Sequence, residues 1–309
     1  MPIRALLLAA SVATLAACSP AKPDAAKTEA PVTAEAPAPA VEMAEAPAAA
    51  MTFDGAAMDA VLENQADSDK ARFDSRNPKE TLEFFGITPG MAVGEALPGG
   101  GWYSKILLPY LGDEGRLVGV DYDIDLWPNF TFGTEEFIEG KKEWPETWVA
   151  DASGWTDGGT DIDAYTFATL PQDGSLDAFL FIRALHNMAR FEDGRFMQSG
   201  IVAVHGSLKS GGVVGVVQHA SADDADAEWA NGTAGYLRTP DVIAAFEAAG
   251  FELAGTSDMN ANPMDMPTTE DVVWRLPPSL GTSGDDDELR AQMEAIGESN
   301  RMTLLFRKP

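Results

Sequence analysis

The sequence predicts an α/β protein, a doubly wound and mostly parallel seven-stranded sheet preceded by a flexible N-terminal tether. Three observations predict it. From residue 91 onward, short apolar runs alternate with helix-period segments, the order expected of strands with crossover helices. The first apolar run ends in a glycine turn that opens a helix. The composition also changes abruptly at Met51, before which large apolar residues are almost absent.

Residues 1–17 read as an export leader. Arg4 supplies a positive start, and residues 5–16 form an apolar run too short to span a bilayer comfortably. Leu15-Ala16-Ala17-Cys18 resembles the bacterial lipobox, which implies cleavage before Cys18 and lipidation of that residue. Ser19 follows where an aspartate often marks inner-membrane retention, so the resemblance implies a lipid anchor in the outer membrane, facing the periplasm. Cys18 is the only cysteine, which excludes an internal disulfide and a thiolate metal cluster. Residues 18–50, rich in Ala, Pro and Glu, cannot bury enough surface to offset their ordering entropy and read as a tether.

The main domain is expected over residues 51–309. Residues 54–69 read as a helix with Met58, Val61 and Leu62 on one face. Asn77-Pro78 opens a second helix, ended by Gly86. Strands follow at 91–96, 117–120, 148–150, 176–182, 212–218, 251–255 and 302–306. Helices are expected at 102–111, 196–208 and 240–249. Two insertions interrupt the alternation: 123–146, studded with aromatic residues, and 258–300, which ends in an acidic helix near Asp285.

The most informative segment is Val93-Gly94-Glu95-Ala96-Leu97-Pro98-Gly99-Gly100-Gly101-Trp102. Glycine lets the backbone take positive φ and approach a ligand closely, and the helix behind it offers free N–H groups. The second strand ends in Asp121, placed where a carboxylate can accept from ribose hydroxyls. The third ends in Asp151-Ala152, and 208–212 reads Leu-Lys-Ser-Gly-Gly. A dinucleotide fingerprint would need a small residue where Trp102 and Tyr103 stand, which argues against a dehydrogenase.

Together these motifs resemble class I S-adenosylmethionine-dependent methyltransferases, most closely a group of exported predicted methyltransferases. The resemblance covers residues 77–309. It implies the Rossmann-like methyltransferase fold and S-adenosyl-L-methionine as cofactor. Glu95, Gly99 and Gly101 take the places of the first-strand motif, Asp121 that of the ribose-holding acid, and Asp151 with Ala152 that of the adenine-contacting pair. Leu97 departs from the pattern, standing where a glycine is common.

The fourth strand continues into Arg183-Ala184-Leu185-His186-Asn187, at the edge where ligands bind in such sheets. His186 is the candidate general base, because its ordinary pKa lies near neutrality. Asn187 is the candidate to orient a substrate and Arg183 to bind an anionic one. His219 ends the fifth strand on the same side. The three histidines match no zinc spacing, so a metal is not expected. A formal net charge of −28 argues against nucleic acid or an anionic lipid surface as partner, leaving the lipid anchor as the membrane attachment. The expected activity is methyl transfer to an unknown small-molecule or envelope substrate. The competing expectation is a non-catalytic envelope lipoprotein that uses the same fold to bind a nucleoside-like or other small ligand. The sequence does not define an oligomeric state.

Overall fold

The computed structural model describes residues 52–309. The leader, the tether and Cys18 lie outside the described residues. The strands are β1 (Ala92–Ala96), β2 (Arg116–Asp121), β3 (Asp161–Thr166), β4 (Leu176–Ile182), β5 (Leu208–His219), β6 (Glu252–Ser257) and β7 (Arg301–Arg307). They form one seven-stranded sheet in the order β3-β2-β1-β4-β5-β7-β6. The first five strands pair parallel, and β7 runs antiparallel to both β5 and β6. Strand order reverses between β1 and β4, and ligand crevices in open α/β sheets lie at such a switch point. This is the doubly wound, mostly parallel seven-stranded α/β sheet expected from the sequence.

β4 shows why the sheet must be covered on both sides. Phe179 and Phe181 pack on one face with Phe196, Val204 and Phe246. Ala178 and Leu180, alternating with them, pack on the other with Leu82, Ile106 and Leu107. Successive strand side chains point to opposite faces, so a strand apolar at every position from Ala178 to Ile182 needs helices on both. The helices Pro78–Phe84 and Ser104–Leu111 cover one face; Arg195–Ser207 and Thr239–Ala248 cover the other.

The structure corrects two sequence expectations. The helix expected over 54–69 is split: Gly55–Glu63 ends at Asn64, whose side-chain amide donates to the Ala60 carbonyl, and a separate turn follows at Asp67–Lys70. The third strand is not at 148–150. Those residues belong to the helix Trp144–Ala152, which starts with Pro145 in its first turn. Trp148 and Ala152 stand one helical turn apart and are both buried. The Trp148 ring sits over Gly119 of β2, where an added Cβ would come within 2.7 Å of it. An apolar run of three residues fits one helix face as well as a short strand, and the tryptophan-on-glycine packing selects the helix.

Both insertions carry structure. Residues 123–146 contain a 3₁₀ turn at Trp127–Asn129 and the helix Glu135–Lys142, capped by Thr134 Oγ1 accepting from the Phe137 amide. Residues 258–300 contain a 3₁₀ turn at Val273–Arg275 and the acidic helix Asp287–Ile296, capped by Asp286.

Candidate functional site at the carboxyl edge of the sheet

The glycine turn leaves β1 with three residues in left-handed backbone: Leu97 at φ 49°, Gly99 at φ 56° and Gly101 at φ 74°. For a leucine that conformation costs about 1–2 kcal/mol. The Leu97 amide nevertheless donates to the Val120 carbonyl of β2 across 2.7 Å, which pins the turn to the neighbouring strand. The sequence pattern favours glycine at this position because the turn needs positive φ there, and this chain keeps the turn with a leucine. Around Gly100 there is no atom within 4 Å of an added Cβ, and around Gly99 only the Leu97 carbonyl approaches, so the turn's backbone is open to a ligand. Gly101 has a packing role instead: an added Cβ would meet the Trp155 ring at 2.2 Å.

Glu95 lies beneath the turn. It is 3% exposed, and its carboxyl accepts from Ser104 Oγ across 2.6 Å at the start of the following helix. Burial pushes its pKa up to about 7, against the opposing effect of the Ser104 hydrogen bond. Glu95 therefore braces the turn from below.

Asp121 ends β2, as expected, and is 2% exposed. Oδ1 accepts from the Tyr122 amide and Oδ2 from Lys141 Nζ, each across 2.8 Å. Burial raises its pKa, with the Lys141 charge and hydrogen bond acting in the opposite direction. Lys141 comes from the helix Glu135–Lys142 and lies 4.1 Å from the centroid of the Trp127 ring, a cation–π contact. Asp151 and Ala152 are corrected as a strand-end pair. They occupy the last turn of the helix Trp144–Ala152, with Asp151 exposed and Ala152 in the core; the residues that end and follow β3 are Thr166 and Phe167.

Arg183, His186 and Asn187 are brought together as the sequence suggested. With Leu97 and His219 they line a cavity of ≈ 250 Å³ beyond β1, β4 and β5. The 258–300 insertion supplies another wall through Val273, Trp274, Leu276 and Glu298. Arg183 follows β4 directly, holds φ 58°, and donates its amide to the Val217 carbonyl across 2.7 Å. Asn187 Nδ2 donates to Tyr122 Oη across 3.4 Å, and Tyr122 Oη donates to the Ala184 carbonyl across 2.6 Å. This short chain links the end of β2 to the end of β4.

His186 is not poised near neutrality. Burial, with smaller contributions from Arg183 and Arg190, lowers its pKa to about 4 against the Gln218 hydrogen bond. The pKa of His219, whose Nδ1 lies 2.6 Å from Ser299 Oγ, is held well below its ordinary value by burial, by His186 and by the surrounding arginines. The two rings stand 5.5 Å apart and are both neutral at pH 7. The expectation that rested on the ordinary pKa of His186 is corrected: a base held this far below the working pH accepts protons poorly.

Sequence reasoning missed the arginine cluster beside this cavity. Buried Arg76 and Arg301 both reach Glu298: Arg76 Nε lies 3.2 Å from each carboxylate oxygen, and Arg301 Nη1 3.3 Å from Oε2. Arg72 Nη1 approaches the same carboxylate at 3.8 Å. The cluster joins two short stretches, Arg72 with Arg76 and Glu298 with Arg301, that lie 222 positions apart from Arg76 to Glu298 and share no motif. Lys141 was missed for the same reason, being one of two lysines on an exposed-looking amphipathic helix.

No protein-family model matches the chain, and no curated protein matches it. Three solved structures to which the fold is similar are a [4+2]-cyclase, SpnF (15% identity, 85% of this chain and 87% of that one, TM-score 0.48), an S-adenosylmethionine-dependent methyltransferase from Aquifex aeolicus (15%, 67% and 93%, 0.42), and the Burkholderia thailandensis 1,6-didemethyltoxoflavin-N1-methyltransferase with its substrate and S-adenosylhomocysteine bound (15%, 86% and 93%, 0.42). Likeness at these values concerns the fold alone.

Proposed function

We propose that the chain is an S-adenosylmethionine-dependent methyltransferase whose acceptor binds beyond the carboxyl end of β4. The observation that carries this reading is the turn over residues 97–101. It holds three left-handed residues, stands at the β1/β4 switch point, and exposes backbone at Gly99 and Gly100. The residues fit the cofactor there. Gly99 and Gly100 would accommodate its close approach, with Gly101 packed against Trp155 behind them, and Asp121 would accept from its ribose once Lys141 withdraws. When bound, the cofactor supplies an electrophilic methyl group on a sulfonium. The chain's own contribution is positioning: Arg183 and Asn187 orient the acceptor, and the apolar walls exclude water. Neutral His186 can hold a hydrogen bond to the acceptor without adding charge. The Cys18 motif and the leader support placement in the cell envelope, anchored by lipid.

A second reading is favoured by the Lys141–Asp121 pair and by the low pKa of His186. Under it the fold is retained as a non-catalytic binding protein, and Lys141 permanently fills the ribose position. Calorimetric titration of the full-length chain with S-adenosylmethionine and S-adenosylhomocysteine separates the two. The first reading expects micromolar binding that Asp121→Ala weakens at least about tenfold, a loss of roughly 1.4 kcal/mol. No heat and no thermal shift at millimolar ligand would remove the methyltransferase reading and favour the second.

A further inference from the structure

We infer that the cavity beyond β4 is a binding site for a small organic carboxylate with an apolar body, held by the guanidinium of Arg183. Its place as the methyl acceptor rests on the proposed function; the binding itself does not.

The first argument is charge. Among the described residues, the Arg183 side chain has no hydrogen-bond or ion-pair partner, whereas Arg72, Arg76 and Arg301 beside it all share Glu298. Both histidines on the cavity wall are neutral. Burial, with Arg76 and Arg301 nearby, lowers the Arg183 pKa to about 10, so it stays charged at pH 7. The cluster thus carries more positive than negative charge in a chain with 49 acidic and 21 basic residues. Glu298, the carboxylate on the cavity wall, is bonded by those three arginines and makes no ion pair with Arg183, and an anionic ligand would complete this guanidinium.

The second argument is backbone. Arg183 occupies a left-handed conformation, which costs a non-glycine residue about 1–2 kcal/mol. Strain of this kind persists where surrounding structure over-determines it, and it clusters at ligand sites. Here the Arg183 amide is fixed to Val217, so the strand end and the cavity wall are set by one hydrogen bond.

The third argument selects the anion. One free guanidinium presents a planar fork that matches the two oxygens of a carboxylate. A phosphate or sulfate would call on further cations, and the neighbouring ones are engaged by Glu298. Ile182, Val273, Trp274, Leu276 and Pro277 give the cavity an apolar portion that suits a hydrocarbon or aromatic body, beside the polar Asn187, Ser279 and Ser299. A volume of ≈ 250 Å³ lies at the small end of ligand pockets, which run about 300–1,000 Å³, and suits a small acid.

The test is calorimetric titration of the full-length chain with benzoate, its neutral counterpart benzamide, and inorganic phosphate. Benzoate is expected to bind saturably and at least about tenfold more tightly than either of the others. Arg183→Gln should abolish the preference for benzoate over benzamide. Arg183→Lys, which keeps the charge and loses the planar fork, should retain part of it and serves if the glutamine variant does not fold. Equal affinity for benzoate and benzamide, a preference for phosphate, absence of saturation up to about 10 mM, or an unaltered preference in the glutamine variant would overturn the inference. A parallel titration with S-adenosylhomocysteine keeps the two claims apart. Arg183-dependent benzoate binding without S-adenosylhomocysteine binding sustains this site and removes the methyltransferase reading, and the opposite pair of results does the reverse.

Discussion

Lys141 Nζ donates to Asp121 Oδ2 across 2.8 Å and places its ammonium over the Trp127 ring. One side chain from the 123–146 insertion thereby occupies the carboxylate to which the proposed function assigns a ribose. The Asp121 carboxylate is almost fully buried and Lys141 is 17% exposed, so the pair sits at the boundary where ion pairs begin to matter for stability.

Removing Lys141 should therefore act in two directions. Lys141→Gln leaves Asp121 buried with a weaker partner, and stability should fall by roughly 1–3 kcal/mol in urea unfolding. If ligand binding has to displace Lys141, S-adenosylhomocysteine affinity should rise several-fold in the same variant. A variant that loses stability while its affinity stays unchanged would show that Lys141 and the ligand do not compete.

Glu95 makes stability depend on pH through the fold's own turn. Its carboxyl titrates near pH 4.5 when unfolded and at about 7 when folded. Between those values the unfolded chain has released a proton that the folded chain keeps. The stabilisation is complete below about pH 4.5 and is lost as pH rises to 7. A change of this size corresponds to roughly 3 kcal/mol. Glu95→Gln keeps the polar contact with Ser104 and cannot ionise. Urea unfolding at pH 5 and pH 8 should show a smaller difference for the variant than for the wild type, and equal differences would mean that burial of Glu95 does not govern the titration.

The legible parts of this protein were those written in contiguous residues. β4 over Leu176–Ile182 stands out as a run apolar at every position but Asp177, and the turn at 97–101 as glycines between a strand and a helix. Arg183, His186 and Asn187 followed from their position just beyond β4. The third strand was displaced because Trp148-Val149-Ala150 is apolar in either conformation, whereas the true β3, Asp161–Thr166, is an acidic edge strand with few large apolar residues. Charge pairing across the fold was illegible: Arg76 and Glu298 are separated by 222 positions. The pKa of His186 was illegible too, since it depends on which residues enclose the ring.

Leu97 offers a direct test of turn strain. Leu97→Gly should relieve about 1 kcal/mol of left-handed backbone cost and remove a side chain that lines the cavity and packs partly in the core. The two effects nearly cancel, so the unfolding midpoint should shift by less than about 1 kcal/mol equivalent. Leu97→Ala keeps the backbone cost, loses most of the packing, and should be less stable than the glycine variant. An alanine variant more stable than glycine would mean that the left-handed conformation is not imposed by the turn.

Asp265 anchors the wall that encloses the carboxylate cavity. Its buried carboxylate accepts from Arg275 Nη2 across 2.7 Å, from Tyr236 Oη at 3.0 and 3.1 Å, and from the Asn300 amide at 2.9 Å. Arg275 immediately follows Trp274 on the cavity wall, and Asn300 immediately precedes β7. One side chain thus ties the 258–300 insertion to the sheet. Asp265→Ala leaves Arg275 with the partly exposed Asp271 as its remaining ion-pair partner and should cost about 3 kcal/mol. The loss should be local first: amide hydrogen exchange should accelerate over residues 273–279 while β1, β4 and β5 remain protected. Benzoate affinity should fall with it, because the apolar walls no longer hold their positions. Uniform acceleration across the sheet would instead assign Asp265 to the global core, and unchanged exchange at 273–279 would show that the wall is held by its own packing.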